Sequence, residues 1–260
     1  TEGTDYVIVA NPGTSQILRL PRITTGLTTN GDIATVGMTI TSPASSPNHV
    51  FLDAVISGGV VYSIASGTNT ADGYRFQSWN STTLATSTYD YTFPVGAIPS
   101  GLNNPSDIYV GLGAIFVSDT GNNRIRKIEL GTGLFYSQSQ IVSVPRDIFL
   151  TGNDIYVAAS GSSRLQKFAG DLNSVASWNS GPLTNACQFF KTAGNFYVSD
   201  PENQKIMVTD VNGNVLYSFG KNGTALHQGE FQRPYGVVVI ANDLYVTDQT
   251  GNAIVRFRSG

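Results

Sequence analysis

Four side chains at matching places in this sequence are of the types that hold a divalent cation: His49, Asp107, Asp147 and Gln188. The first three each stand two residues after a proline, at Pro47, Pro105 and Pro145, and Gln188 stands two after Ala186 in the same place. The fifth such position, two after Pro234, is Gly236. An imidazole, two carboxylates and an amide oxygen that converge make a site for Ca2+ or another divalent ion, with water filling the shell. The same groups also suit a plainer task, capping strand ends and holding water at a solvated opening. Which task they have depends on the elements that carry them.

Those elements are read from a pattern that recurs along the chain. Phe196-Tyr197-Val198-Ser199-Asp200 is followed six residues after the Asp by Ile206, and Leu244-Tyr245-Val246-Thr247-Asp248 is followed at the same distance by Ile254. Each is an apolar β-type run, a polar turn and a second apolar run, which is a hairpin. Further copies are Ile8 to Ile17 with Asn11 at the Asp position, Ile115 to Ile125 with Asp119, and Ile155 to Leu165 with Ala159. The copy from Val60 to Trp79 is stretched by a polar turn over Ser66 to Gly73.

Taking the aromatic or aliphatic residue before the Val position as a marker gives Ile8, Tyr62, Phe116, Tyr156, Tyr197 and Tyr245, with gaps of 54, 54, 40, 41 and 48. Periods of this size with several strands per unit indicate propeller blades. Ahead of the later five hairpins lie apolar runs over 49–56, 107–111, 147–150, 188–190 and 236–240, which are the innermost strands. Outer strands follow, as at Leu216 to Phe219 after the two-residue turn signal Asn212-Gly213. No stretch has a capped helical period. In a propeller the innermost strands line the central channel, so the four polar residues above are expected near one channel mouth.

Proline, an apolar strand, Tyr-Val-x-Asp, a downstream Asn and then Ile, followed by a Gly-rich turn into Phe-Gly, resembles the NHL-repeat family of β-propellers. The residues that carry the resemblance are Asp119 with Asn122 and Ile125, Asp200 with Asn203 and Ile206, and Asp248 with Asn252 and Ile254. Phe219-Gly220-Lys221-Asn222-Gly223 leading to Phe231-Gln232-Arg233-Pro234 is similar to the family's linker between blades. The resemblance is strongest from residue 103 onward. It implies six blades, and the reading is an all-β, six-bladed β-propeller over residues 1–260 as one domain, with five or seven blades fitting less well. The last blade then lacks its outer strand and the first its inner strand. Either both terminal blades are three-stranded and close edge to edge, or further residues complete the ring.

Some members of that family are enzymes. Its amidating lyase branch uses zinc held by histidines, whereas only His49 and His227 occur here. A carboxylate-rich site like that of the calcium-dependent lactonase propellers is matched in part by Asp107 and Asp147. The hairpin aspartates are instead expected to accept hydrogen bonds from turn N–H groups. Asp210-Val211-Asn212-Gly213-Asn214 lacks the later Glu of a calcium loop and reads as a hairpin.

The bulk numbers narrow the partners. A net charge of −3 with charged residues at 13% offers no basic field for nucleic acid. Cys187 is the one cysteine, so neither an intrachain disulfide nor a cysteine zinc site can form. No apolar run is long enough for a membrane-spanning helix, so membrane insertion is not expected. A start at Thr1-Glu2-Gly3, few Lys and Arg, and abundant Ser, Thr, Asn and Gly suggest a processed extracellular, periplasmic or cell-surface protein. Trp79, Trp178 and Tyr235 fall at predicted loops or outer strands, where exposed aromatics stack on sugars or anchor protein partners. Arg124, Arg126, Lys127, Arg164, Lys167, Arg256 and Arg258 recur on second hairpin strands and read as a solvated face. The reading is a binding domain for a protein, glycan or small molecule at a loop face or channel mouth, monomeric or within a longer chain. A metal-dependent propeller enzyme of lyase or lactonase type, with its site in the channel, is the alternative, and a structural module of a larger surface protein is a third reading.

Overall fold

The computed structural model describes residues 6–11, 16–21, 38–41, 49–67, 73–80, 86–93, 101–138, 141–176, 185–186, 188–223, 229–240, 243–251 and 253–258. They belong to two compact units, 1–138 and 139–260. Among the described residues all regular structure is β apart from one-turn 3-10 segments.

Among its described residues the first unit holds three antiparallel sheets. Strands β1 (Tyr6–Asn11), β2 (Gln16–Pro21) and β3 (Met38–Thr41) form the first. The second is a meander of β4 (His49–Ser57), β5 (Val60–Gly67), β6 (Tyr74–Asn80) and β7 (Thr86–Phe93). The third is β8 (Ile108–Gly111), β9 (Ala114–Asp119), β10 (Arg124–Glu129) and β11 (Phe135–Gln138).

In the second unit β12 (Pro145–Thr151), β13 (Asp154–Ala159), β14 (Arg164–Ala169) and β15 (Ser174–Ala176) make one sheet. The next has β16 (Phe189–Lys191), β17 (Asn195–Asp200), β18 (Lys205–Asp210) and β19 (Val215–Phe219). Between it and the last sheet, β20 (Lys221–Asn222) and β21 (Glu230–Phe231) pair in parallel. The last sheet is β22 (Pro234–Ile240), β23 (Asp243–Asp248) and β24 (Ala253–Arg258). Both terminal sheets are thus three-stranded among the described residues, as the residue spacing at the two ends of the chain implied.

Side chains along a strand alternate between two faces, and both faces of β9 are covered, so it is buried along its whole length. The apolar clusters lie between consecutive sheets. Tyr62, Phe76, Phe93, Ile108, Ile115 and Val117 join the second and third sheets, and Tyr156, Leu165, Phe189, Phe196 and Met207 join the fourth and fifth. Tight turns close three of the hairpins in one way: a 3-10 turn at 120–122, 160–162 and 201–203, stopped by Asn123, Ser163 and Gln204 in the left-handed conformation at φ 53, 53 and 52°. Gly121 and Gly161 sit inside two of these turns because a Cβ there would come within 2.8 Å of the Asn103 carbonyl and 2.3 Å of Ser143 Oγ.

Candidate functional site

The hairpin aspartates are buried and charged, and their partners show what they do. Asp119 ends β9 with no exposure, and Arg124 opposite it in β10 is 3% exposed. Arg124 Nε donates to Asp119 Oδ2 at 2.7 Å and its Nη2 to the Gly101 carbonyl at 2.8 Å. Asp119 also accepts from Asn122 Nδ2 at 2.9 Å and from the backbone N–H of Asn103 at 2.7 Å. The aspartate therefore clasps the linker that enters its own sheet. Asp248 does the same for its linker, accepting from the N–H groups of Gln232 and Arg233 at 2.7 and 3.0 Å, and also from the turn N–H of Gly251 at 2.9 Å. Asp200 accepts from Asn203 Nδ2 at 2.9 Å. The expected turn N–H bond is thus found at Asp248, while Asp119 bonds to the linker and to the turn's Asn side chain instead. Asn252 lies outside the described residues.

In the fourth sheet this clasp is incomplete. Ala159 takes the Asp place opposite Arg164, and the buried Arg164 Nε has no hydrogen-bond partner among the described residues. Gly161 N–H donates to the Ser143 carbonyl as Gly121 N–H does to that of Asn103, so the Ser143 N–H stands where an aspartate would meet it. Ala159→Asp is expected to raise stability by about 1–2 kcal/mol, two charge-assisted bonds offset by desolvation of the carboxylate. The shift in thermal midpoint against wild type checks it.

The cationic strand residues do not form a solvated face throughout. Arg124 and Arg126 are both buried, because residues on a strand with two covered faces have nowhere wet to point. The Arg126 guanidinium lies 3.9 Å from the centroid of the Phe135 ring, and burial, followed by repulsion from Arg124, pulls its pKa down to about 10.

At the inner strands the aspartates act as latches between neighbouring sheets. Asp147 Oδ2 accepts the backbone N–H of Phe189 at 2.6 Å, from the first strand of the next sheet. In the first unit Asp53 Oδ2 accepts the N–H of Ile108 at 3.1 Å in the same way. Asp53, not His49, is therefore the counterpart of Asp147. A bulge falls between Phe51 and Asp53 in β4 as it does between Pro145 and Asp147 in β12, so Phe51 replaces the proline and Asp53 faces Ile64 as Asp147 faces Ala158. His49 lies opposite Gly67. A count from Pro47 misses this because the register is set by the bulge.

Asp107 is buried at the same place before β8, its carbonyl accepting the Ser118 N–H. Gln188 is half-buried, with its N–H on Ser199 Oγ at 3.0 Å. Its Oε1 lies 3.1 Å from where a Cβ on Gly236 would stand. The second unit thus brings Asp147, Gln188 and Gly236 together as successive positions on three consecutive sheets. Among the described residues no three His, Cys, Asp or Glu side chains group closely enough to hold a metal ion.

The aromatic candidates divide. Trp79 is 3% exposed, edge-on to Phe51 with centroids 6.4 Å apart and its Nε1 donating to Ser63 Oγ at 3.0 Å, so it is a core residue. The polar turn before β6 made it look peripheral, but pairing of β6 with β5 carries it inward. Tyr235 is half-buried in the bulge that opens β22. Trp178, His227 and Cys187 lie outside the described residues. The exposed apolar side chains that sequence reasoning missed as a group are Val211, Val215, Leu216 and Tyr217, around the hairpin into β19. In that turn Asp210 accepts from the N–H groups of Asn212 and Asn214 and from Asn214 Nδ2, the last of which leads in lowering its pKa. It is a hairpin, as its sequence implied.

Residues 102–128, which span β8 to β10, match the family model of the NHL repeat. The chain is a β-propeller that carries an NHL repeat. The structure of a nidogen/laminin complex contains a chain similar to it over 97% of this chain and 89% of that one, at 16% identity and a TM-score of 0.69. Virginiamycin B lyase from Staphylococcus aureus is similar over 100% and 82%, at 17% identity and 0.64. A functionally unknown protein from Desulfotomaculum acetoxidans is similar over 98% and 79%, at 13% identity and 0.63. At these identities the likeness is one of fold. No curated protein matches this propeller by sequence. Among the described residues no helix is long and apolar enough to cross a membrane.

Proposed function

We propose that this propeller is a non-catalytic recognition domain, exported or displayed at a cell surface, whose ligand is a protein. The observation that carries the reading is the uncharged outer strand β19, where Val215, Leu216 and Tyr217 are 42, 50 and 52% exposed. Val215 and Tyr217 share one face of β19 and Leu216 is on the other; exposed large apolar side chains gathered on one strand mark contact with another molecule, and tyrosine is among the residues that anchor protein interfaces. A related fold in a nidogen/laminin complex is consistent with protein binding. A metal-dependent enzyme has less in its favour: Asp53 and Asp147 each commit an oxygen to a backbone N–H of the next sheet, and His49 stands out of register with them.

The reading is tested on surface or secreted proteins of the source, captured on the immobilised domain, purified and titrated. Direct saturable binding that EDTA does not weaken is expected. Thermal unfolding with and without Ca2+, Zn2+ or EDTA runs beside it, since a ligand specific to the folded state must raise the midpoint. Stoichiometric metal and a midpoint shift that Asp107→Asn with Asp147→Asn abolishes, with no protein partner, would replace this reading by the catalytic one.

A further inference from the structure

The turn between β13 and β14 is built like the one between β9 and β10. Each is a 3-10 turn stopped by a left-handed residue at φ 53°, Ser163 in one and Asn123 in the other. Each ties down its linker by one bond, from Gly161 N–H to the Ser143 carbonyl at 3.1 Å and from Gly121 N–H to that of Asn103 at 2.8 Å. The linkers also bend alike, with Val144 and Asn104 both at φ 47°. Asparagine adopts that conformation readily, whereas for a β-branched valine it is costly. The fourth sheet thus keeps its linker in the form that brings the Asn103 N–H onto Asp119, although Ala159 offers no carboxylate to Ser143.

A cation and an N–H donor face that alanine. The buried Arg164 Nε has no hydrogen-bond partner among the described residues, and none of those residues accepts from the Ser143 N–H. The chain's own groups do not answer them. Ser162 stands where Asn122 does and gives its hydroxyl to the Ala159 carbonyl at 3.2 Å. Gln166 shares a face of β14 with Arg164, yet its buried Oε1 is also without a partner among the described residues, so the two do not meet. Every Asp and Glu of residues 139–260 lies among the described residues, and each makes its bonds elsewhere. Asp147 is set opposite Ala158, hence on the other face of the sheet from Ala159. Arg146, in the bulge of β12 between them, brings a second positive charge to this end of the sheet.

We infer that the end of β13 beside Ala159 is a binding site for a compact monovalent anion, held between Arg164 Nε and the Ser143 N–H in the manner of the Asp119 carboxylate. A guanidinium whose Nε is out of water favours an anion there over a neutral water molecule. The alanine sets the size. Ala159 keeps the Cβ of an aspartate and lacks only the carboxylate group, so formate, which is that group carrying a hydrogen, is the match. Acetate brings a methyl group into the space that the Ala159 Cβ already takes. The bound ion closes on this linker the clasp that Asp119 and Asp248 close on theirs, and the stability of the fourth sheet then depends on the anion in solution. The site is independent of what the propeller recognises.

The test uses the intact chain in a buffer whose anion is a bulky sulfonate, titrated with sodium formate or sodium acetate at constant ionic strength so that screening of surface charges stays fixed. Formate should raise the thermal midpoint saturably, by about 2–4 °C at roughly five times its dissociation constant, and acetate should do less. In the sulfonate buffer Ala159→Asp should melt above wild type and should not respond to formate. Arg164→Gln should lose the response as well. The signal of 13C-formate, broadened by the wild-type chain, should stay sharp with both variants. A wild-type midpoint that formate leaves where the sulfonate control has it means that water fills the place, and overturns the site. A formate response that either variant keeps puts the anion elsewhere, and an acetate response equal to that of formate removes it from the neighbourhood of Ala159. An Ala159→Asp chain less stable than wild type overturns the proposal too, because a place that takes a free carboxylate must take a tethered one. Should Arg164→Gln fail to fold, Ala159→Asp decides alone.

Discussion

Arg124→Met is expected to cost about 3–5 kcal/mol of folding stability, because it leaves a carboxylate uncompensated in the interior. Asp119 has no exposed surface, and with the guanidinium gone it keeps only the Asn103 N–H and the Asn122 amide. Asp119→Ala should cost about as much for the complementary reason, a buried cation left with the Gly101 carbonyl. The double variant Asp119→Leu, Arg124→Met should recover part of the loss, since an apolar pair of similar volume needs no charge compensation. Recovery stays incomplete because the Asn103 N–H then has no acceptor. Urea titration followed by tryptophan fluorescence measures all three, at unchanged denaturant slope. A loss below about 1 kcal/mol in both single variants would mean that water reaches the pair and that it behaves as a surface salt bridge.

The same pair shows where the sequence was readable and where it stopped. The hairpins were legible because a period of two, a polar turn and a fixed Asp-to-Ile spacing are local, and each became a strand pair in the predicted place. The short sheets at both ends followed from counting residues outside the markers. What the other faces of those strands touch is set by the neighbouring sheet, and that is not written in the strand itself. Hence Arg124 and Arg126 looked solvated and are buried, and Trp79 looked peripheral and is core. His49 is out of step with Asp147 for a different reason. The position that matters is fixed by a bulge, and in β4 the bulge follows Phe51 where β12 has Pro145. Residue types alone did not show that the inner-strand carboxylates reach for the next sheet's backbone. Only the geometry separates a latch such as Asp147 on Phe189 from a free ligand.

Asp248→Ala is expected to be the other large effect, again about 3–5 kcal/mol, and by a mechanism without a cation. Its carboxylate accepts three backbone N–H groups, from Gln232, Arg233 and Gly251. Each bond to a charged acceptor contributes about 1.5–3 kcal/mol, and water that enters the truncated site restores part of the sum. Asp248→Asn keeps an oxygen at the site and should lose roughly half as much. Amide exchange separates this from a general loss of stability. Gln232, Arg233 and Gly251 should exchange much faster in Asp248→Ala, while Ile206 and Val208 in β18 keep their protection. Equal acceleration everywhere would mean that Asp248 holds the whole unit and not its own linker and turn.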